Sequence, residues 1–146
     1  VTFTITALPS TPVAADIAAG NFQTVTAGAL YGAPISVRVS DQYGNVVPGV
    51  AVTFVPGTGA SAFSDTVVVT DAAGLASTTP TATTFAGTAI VEASVAGVGT
   101  VQFNVTITPA AIATLVYQSG VIIGTAGELL PGFQFQARDQ FGNWLD

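Results

Sequence analysis

The chain has 146 residues, eight Asp and Glu against two Arg (Arg38 and Arg138), no Lys, His, Cys or Met, and a formal charge of −6. That balance disfavours nucleic acid and anionic lipid as partners, since both are held through Lys and Arg; it also removes disulfides, thiolate metal sites and cysteine or histidine nucleophile chemistry. A mean hydropathy of +0.65 does not imply a membrane span, because no run of about 18 apolar residues occurs.

Along the chain the apolar residues recur every second position, the spacing of half-buried strands. Val1-Thr-Phe-Thr-Ile5 alternates and runs into Pro9-Ser-Thr-Pro12, a short linker. Ala14 to Ala19 reads as an irregular first strand. Ile35, Val37 and Val39 share one face, with Ser36 and Arg38 on the other. After Asp41, Gly44-Asn45 and Pro48-Gly49 mark a reversal, and Val50, Val52 and Phe54 point inward again. Val67 to Val69 is a short strand whose facing is not assigned. Asp71-Ala-Ala-Gly74 reads as a tight hairpin connection with a left-handed Gly74. Leu75 to Thr84 is a Thr-rich strand, which Pro80 confines to an edge or bulge. Ala89, Val91, Ala93 and Val95 oppose Glu92 and Ser94; after Ala96-Gly97-Val98-Gly99, Val101, Phe103, Val105 and Ile107 oppose Gln102, Asn104, Thr106 and Thr108. No window carries a capped helical stripe. Some seven short strands with turns between them predict an all-β, two-sheet antiparallel sandwich.

The chain also repeats itself. Asp41-Gln42-Tyr43-Gly44-Asn45 returns as Asp139-Gln140-Phe141-Gly142-Asn143, 98 positions on; Thr26-Ala27-Gly28 returns as Thr125-Ala126-Gly127, 99 positions on. Val1-Thr-Phe-Thr-Ile5 matches Val101-Gln-Phe-Asn-Val105 at 100, and a proline follows each, Pro9 and Pro109. A period of this length suits independently folding beads. It divides the chain into residues 1–9, the last strand of a preceding repeat; residues 10–109, one complete module; and residues 110–146, the opening of the next. With no initiator Met, a start inside a strand pattern and an end just after a turn signal, the chain is expected to be a window on a longer polypeptide. Residues 110–146 carry Leu115, Val116, Ile122, Ile123, Leu129, Phe133, Phe135 and Trp144 with no opposing sheet. Continuation of the same chain is expected to complete them; strands from other chains are the alternative.

Three ordered stretches carry a family resemblance: Asp41-Gln-Tyr-Gly-Asn-Val-Val-Pro-Gly-Val-Ala-Val-Thr-Phe54, Thr70-Asp-Ala-Ala-Gly-Leu-Ala76 and Thr84-Phe-Ala-Gly-Thr-Ala-Ile-Val-Glu-Ala93. They resemble bacterial immunoglobulin-like domains of group 1, the Big-type modules of invasin- and intimin-like adhesins and other large bacterial surface proteins. The likeness covers roughly residues 20–109, and again 115–146. It implies an immunoglobulin-like sandwich in a tandem repeat array at the cell surface or outside the cell, with a structural and adhesive role as a stalk or filament. The alternative is an immunoglobulin-like module that binds carbohydrate or a host protein. The stretch from Asp16 to Thr26 is longer than the simplest form of the pattern, and the buried Trp and paired Cys of antibody domains are missing.

Candidate sites are few. Asp41, Gly44 and Asn45 suit a turn in which the carboxylate accepts backbone N–H groups; a functional reading is calcium held by Asp41, Asn45 and Asp71 or Asp65. No other cofactor is expected. Asn104-Val-Thr106 fits a glycosylation sequon but lies mid-strand. The acids are scattered without an acid/base couple, Lys is missing for a Ser–Lys arrangement, and Gly97-Val-Gly99 lacks the helix and Lys of a phosphate loop, so no catalytic residue and no enzymatic activity are expected. Phe3, Phe54, Phe103, Phe133 and Phe135 fit the core. Tyr43, Phe141 and Trp144 fall beside the turn where one module meets its neighbour, which suits either local packing or a module–module contact. The expected partners are neighbouring repeats of the same chain or other copies of the protein, without nucleic acid and without membrane insertion of this segment.

Overall fold

The computed structural model describes residues 8–59, 62–63, 65–117, 125–127, 132 and 134–145. The strand expected at Val1 to Ile5, and Phe3, Ile122, Ile123, Leu129 and Phe133, lie outside the described residues. Every regular element among the described residues is a strand: β1 (Pro12–Ala19), β2 (Thr24–Thr26), β3 (Ile35–Asp41), β4 (Ala51–Pro56), β5 (Val67–Val69), β6 (Leu75–Thr78), β7 (Gly87–Val95), β8 (Gly99–Thr108), β9 (Ile112–Tyr117), β10 (Phe135–Asp139) and β11 (Trp144–Leu145).

They form three sheets, in the orders β1-β3-β6, β2-β8-β7-β4-β5 and β11-β10-β9. The first two face each other across one core. Ile35, Val37 and Val39 of β3 and Ala76 of β6 meet Val52 and Phe54 of β4, Ala89 to Val95 of β7, and Phe103, Val105 and Ile107 of β8. Each inward set is every second residue of its strand, so the pleat alone sorts these side chains into the interior. Phe54 and Phe103 are fully enclosed and supply the largest apolar volumes. Val50 and Val101, also predicted inward, are half-buried at its margin.

Five expectations are corrected. The pairing is not wholly antiparallel, since β2 runs parallel to β8, Thr24 to Thr26 beside Thr106 to Thr108. The cause is a strand that changes sheets. β1 pairs with β3 up to Ala19; the chain is then redirected at Gly20 (φ +85°) and Phe22 (φ +56°) and continues onward against β8. A Cβ at Gly20 would run into the Pro34 carbonyl, so this crossing needs glycine. The Asp71–Gly74 turn has the left-handed Gly74 (φ +69°), yet it is no hairpin between neighbours: β5 and β6 belong to different sheets. Ser36 faces outward but is buried rather than solvent-exposed, its hydroxyl 2.8 Å from that of Ser77 across the β3–β6 ladder. Phe135 is 58% exposed, because among the described residues no second layer covers β9–β11; its ring meets Tyr117 with centroids 5.7 Å apart. The Thr-rich stretch is strand only to Thr78, and Thr81 beyond Pro80 makes single bridges to Leu30 and Ala62.

The chain enters the sandwich at Ser10, beside Asp41, and β1 and β8 both run away from that end. It leaves at Thr108, beside Thr26 and Gly87. The module therefore has an N-terminal pole at the Asp41 corner and a C-terminal pole around Gly28 and residues 84–87.

Candidate functional site

The feature with most internal design is the Asp-Gln-aromatic-Gly-Asn corner, present twice. In the first copy Asp41 Oδ1 accepts the backbone N–H of Tyr43 and of Asn45, both at 2.9 Å. Its Oδ2 accepts the Asn45 side-chain amide at 3.1 Å and the Ser10 N–H at 2.9 Å. The turn closes with Asp41 N–H to Asn45 O and Gly44 N–H to Asp41 O. In the second copy Asp139 Oδ1 accepts Phe141 N–H at 2.9 Å and Asn143 N–H at 2.8 Å. Its Oδ2 accepts the Asn143 amide at 2.7 Å and Ala110 N–H at 2.8 Å. The two closing bonds recur as well. The second corner thus repeats the first bond for bond.

Local chemistry dictates this shape. Asp is short enough to reach the N–H groups two and four residues on, and Gly44 (φ +81°) turns the chain where other residues are strained. Asp71 builds the same loop, its Oδ1 accepting Ala73 N–H at 2.8 Å and Leu75 N–H at 3.0 Å. What sets Asp41 and Asp139 apart is the second oxygen. It clamps the residue directly after a proline, Ser10 after Pro9 and Ala110 after Pro109. The carboxylate therefore fixes how the connecting segment joins the body of the sandwich.

These bonds favour the ionised form. The Ser10 N–H, joined by the Asn45 side chain and the Asn45 and Tyr43 N–H groups, outweighs desolvation and lowers the Asp41 pKa from 3.8 to about 2. At Asp139 burial is the strongest influence and acts upward; the Asn143 side chain and the N–H groups of Ala110, Asn143 and Phe141 together overcome it, again giving about 2. With four N–H donors on two oxygens, the acceptor positions of each carboxylate are filled. A cation at Asp41 would have to displace bonds that shape the corner, and Asn45 presents its amide N–H to Asp41 in place of a ligand oxygen. Asp71 is engaged with its own turn. Among the described residues no group of three or more Asp and Glu stands close enough to hold a metal.

The second corner lies against the C-terminal pole of the preceding sandwich. Asn143 Nδ2 donates to Thr84 O at 2.7 Å while its Oδ1 accepts Ala86 N–H at 3.0 Å, a two-point bridge to backbone. The Phe141 ring rests on Gly28; a Cβ there would fall 2.9 Å from its Cζ. Of the aromatics singled out in the sequence, Phe141 touches this joint, and Trp144 instead stacks under the Arg138 guanidinium, 3.7 Å from the ring centroid. Tyr43, at the opposite pole, is 75% exposed against 38% for Phe141. The receiving surface at Gly28, Thr84 and Ala86 is absent from the sequence reading. Its signal was there: Thr26-Ala27-Gly28 recurs at 125–127, but a repeated glycine says nothing of what rests on it.

The family model of the bacterial Ig-like domain (group 1) matches residues 21–108. Among solved structures, Yersinia pseudotuberculosis InvD is similar at 20% identity and a TM-score of 0.63, over 97% of this chain and 46% of InvD. The Escherichia coli adhesin FdeC is similar at 17% identity and a TM-score of 0.60, over 94% of this chain and 45% of FdeC. Domains 4–9 of the surface layer protein SbsC give 20% identity and a TM-score of 0.51, over 93% and 22%. The chain thus spans less than half the length of each of these structures. No curated protein matches the sequence.

Proposed function

The chain belongs to the bacterial Ig-like domain (group 1) family, and from that premise we propose that it is a structural and adhesive segment of a large bacterial surface protein, in which copies of one sandwich follow each other as a stalk or filament. Residues 1–9 end one copy, residues 10–109 form the next in full, and residues 110–146 open a third. The reading includes no catalysis, and it places the segment outside the cell. The fold it shares with an adhesin and a surface layer protein is consistent with that setting.

One observation carries the proposal: Ser10 and Ala110, each directly after a proline, are clamped by equivalent carboxylates, Asp41 and Asp139, in matching corners. A segment tied down at every repeat transmits orientation from bead to bead, whereas a loose Gly/Ser linker would let each bead swivel. Electron microscopy of the intact native protein is the test. Expected are elongated particles with beads spaced by roughly 35–40 Å, since the ten-residue β8 spans about 33 Å at 3.3 Å per residue. Compact particles without a periodic spacing overturn the proposal. So does saturable binding of a soluble saccharide or host protein by the isolated segment, which favours a receptor-binding module.

A further inference from the structure

Both halves of the joint described above are parts of the repeat. The half that inserts is the Asp-Gln-aromatic-Gly-Asn corner, at 41–45 and 139–143; the half that receives is Thr-Ala-Gly, at 26–28 and 125–127. One inserting copy is engaged, that of Phe141 and Asn143 on Gly28, Thr84 and Ala86. The other is open. Tyr43 stands 75% exposed at the N-terminal pole. The Asn45 amide donates to Asp41 and, unlike Asn143, bridges to no second backbone among the described residues. A shallow groove bounded by Leu8, Pro9, Asn45 and Val46 lies beside it. On the receiving side, Gly127 has the left-handed backbone of Gly28 (φ +94° and +75°), and among the described residues nothing stands within 4 Å of where its Cβ would be.

From this we infer that the Tyr43–Asn45 corner is a docking surface for the C-terminal pole of another copy of this module placed ahead of it, Tyr43 lying on that copy's Gly28 and Asn45 bridging its Thr84 O and Ala86 N–H. The occupant is fixed by continuity with the joint already present, because the inserting corner is the same motif held by the same bonds. The hydroxyl that Tyr43 adds at Cζ falls beside that copy's Gly28, which has no side chain of its own to meet it. Joints of this kind pair unlike faces, so the interface is heterologous and propagates in one direction along the array. The inference rests on the tandem reading and supplies its contacts.

The test keeps the whole chain and joins a further copy of residues 10–100 ahead of Val1, so that residues 1–9 follow it in the sequence position that Val101 to Pro109 hold in the module. The added copy carries Tyr43→Phe, so that the two corner peptides differ in mass. Hydroxyl-radical oxidation of the original Tyr43 is compared in the extended and the 146-residue chains. Its rate is expected to fall by about half, as exposure falls from 75% at Tyr43 to 38% at Phe141. An unchanged rate with the added copy folded overturns the inference; if solution scattering then still shows an elongated particle, the stalk survives the loss of this joint. A compact particle overturns both.

A second variant does not depend on the added copy folding. Phe141→Tyr in the 146-residue chain makes the engaged corner identical to the open one. Slow amide exchange at Ala86, retained as in the parent chain, supports the inference. Exchange as fast as in Asn143→Ala shows that a Tyr corner does not fit this pole and overturns it.

Discussion

Asp41 contributes through its ionised form. Its pKa is about 2 in the folded chain against an ordinary 3.8, so between those values the unfolded chain binds more protons and acid favours unfolding. The stability Asp41 and Asp139 supply is therefore complete above about pH 4 and lost as pH falls toward 2. Asp41→Asn is expected to melt at a lower temperature at pH 7 and to lose part of the decline between pH 4 and pH 2, as followed by circular dichroism. Because the carboxylates are saturated by N–H donors, excess EDTA and millimolar calcium are expected to give the same melting temperature; a calcium-dependent rise would return the metal reading to Asp41, Asn45 and Asp71. Glycines of like backbone should differ by what surrounds them. At Gly74 an added Cβ lies 2.8 Å from Val46 Cβ and 2.9 Å from Val39 O, whereas at Gly44 nothing lies within 4 Å. Gly44→Ala is expected to cost about 1 kcal/mol from the left-handed backbone alone, and Gly74→Ala about 3 kcal/mol or more once the clash is added. Equal losses in urea titration would show that the crowding at Gly74 relaxes.

At the scale of elements, β4, β7 and β8 hold the interior. Phe54 is fully enclosed where Thr53 and Phe54 pair with Ser94 and Ala93, and its ring lies 6.4 Å from that of Phe63. Phe54→Ala removes a large side chain that neighbours cannot replace, and a loss of about 3–5 kcal/mol is expected in chemical denaturation. That is a large share of the stability of a domain this size. The strands were legible because alternation directly encodes which side chains face the opposite sheet. Which sheet a strand joins is not encoded this way. Asp71–Gly74 looks in the sequence like a local hairpin, and the stretch from Asp16 to Thr26 only like an extended first segment, yet β5–β6 and β1–β2 each move the chain between layers. Ser36 shows the limit from the other side: a polar residue at an outward position is covered because Ser77 faces it and satisfies its hydroxyl.

Across the molecule, the joint between the sandwich and the second corner is small and built mainly on backbone. Asn143→Ala removes the bridge to Thr84 and Ala86 together with the bond to Asp139. Amide exchange at Ala86 is expected to accelerate about tenfold, the loss of one hydrogen bond of roughly 1.4 kcal/mol. The core of residues 25–107 makes no use of Asn143, so its unfolding transition should stay where it is. A matching loss of core stability would mean that the joint and the sandwich unfold as one unit.

The order of residues by itself determined the period near 100, the strands with their inward faces, and the Asp-x-x-Gly turns, because alternation and turn chemistry act over a few neighbours in the chain. Only the tertiary structure decided that β2 lies parallel to β8, that the second Asp41 oxygen holds Ser10, and that Asn143 reaches Thr84 and Ala86. Those contacts join residues far apart in sequence, most of them through backbone N–H and C=O groups that every residue carries alike, so no side-chain pattern could announce them.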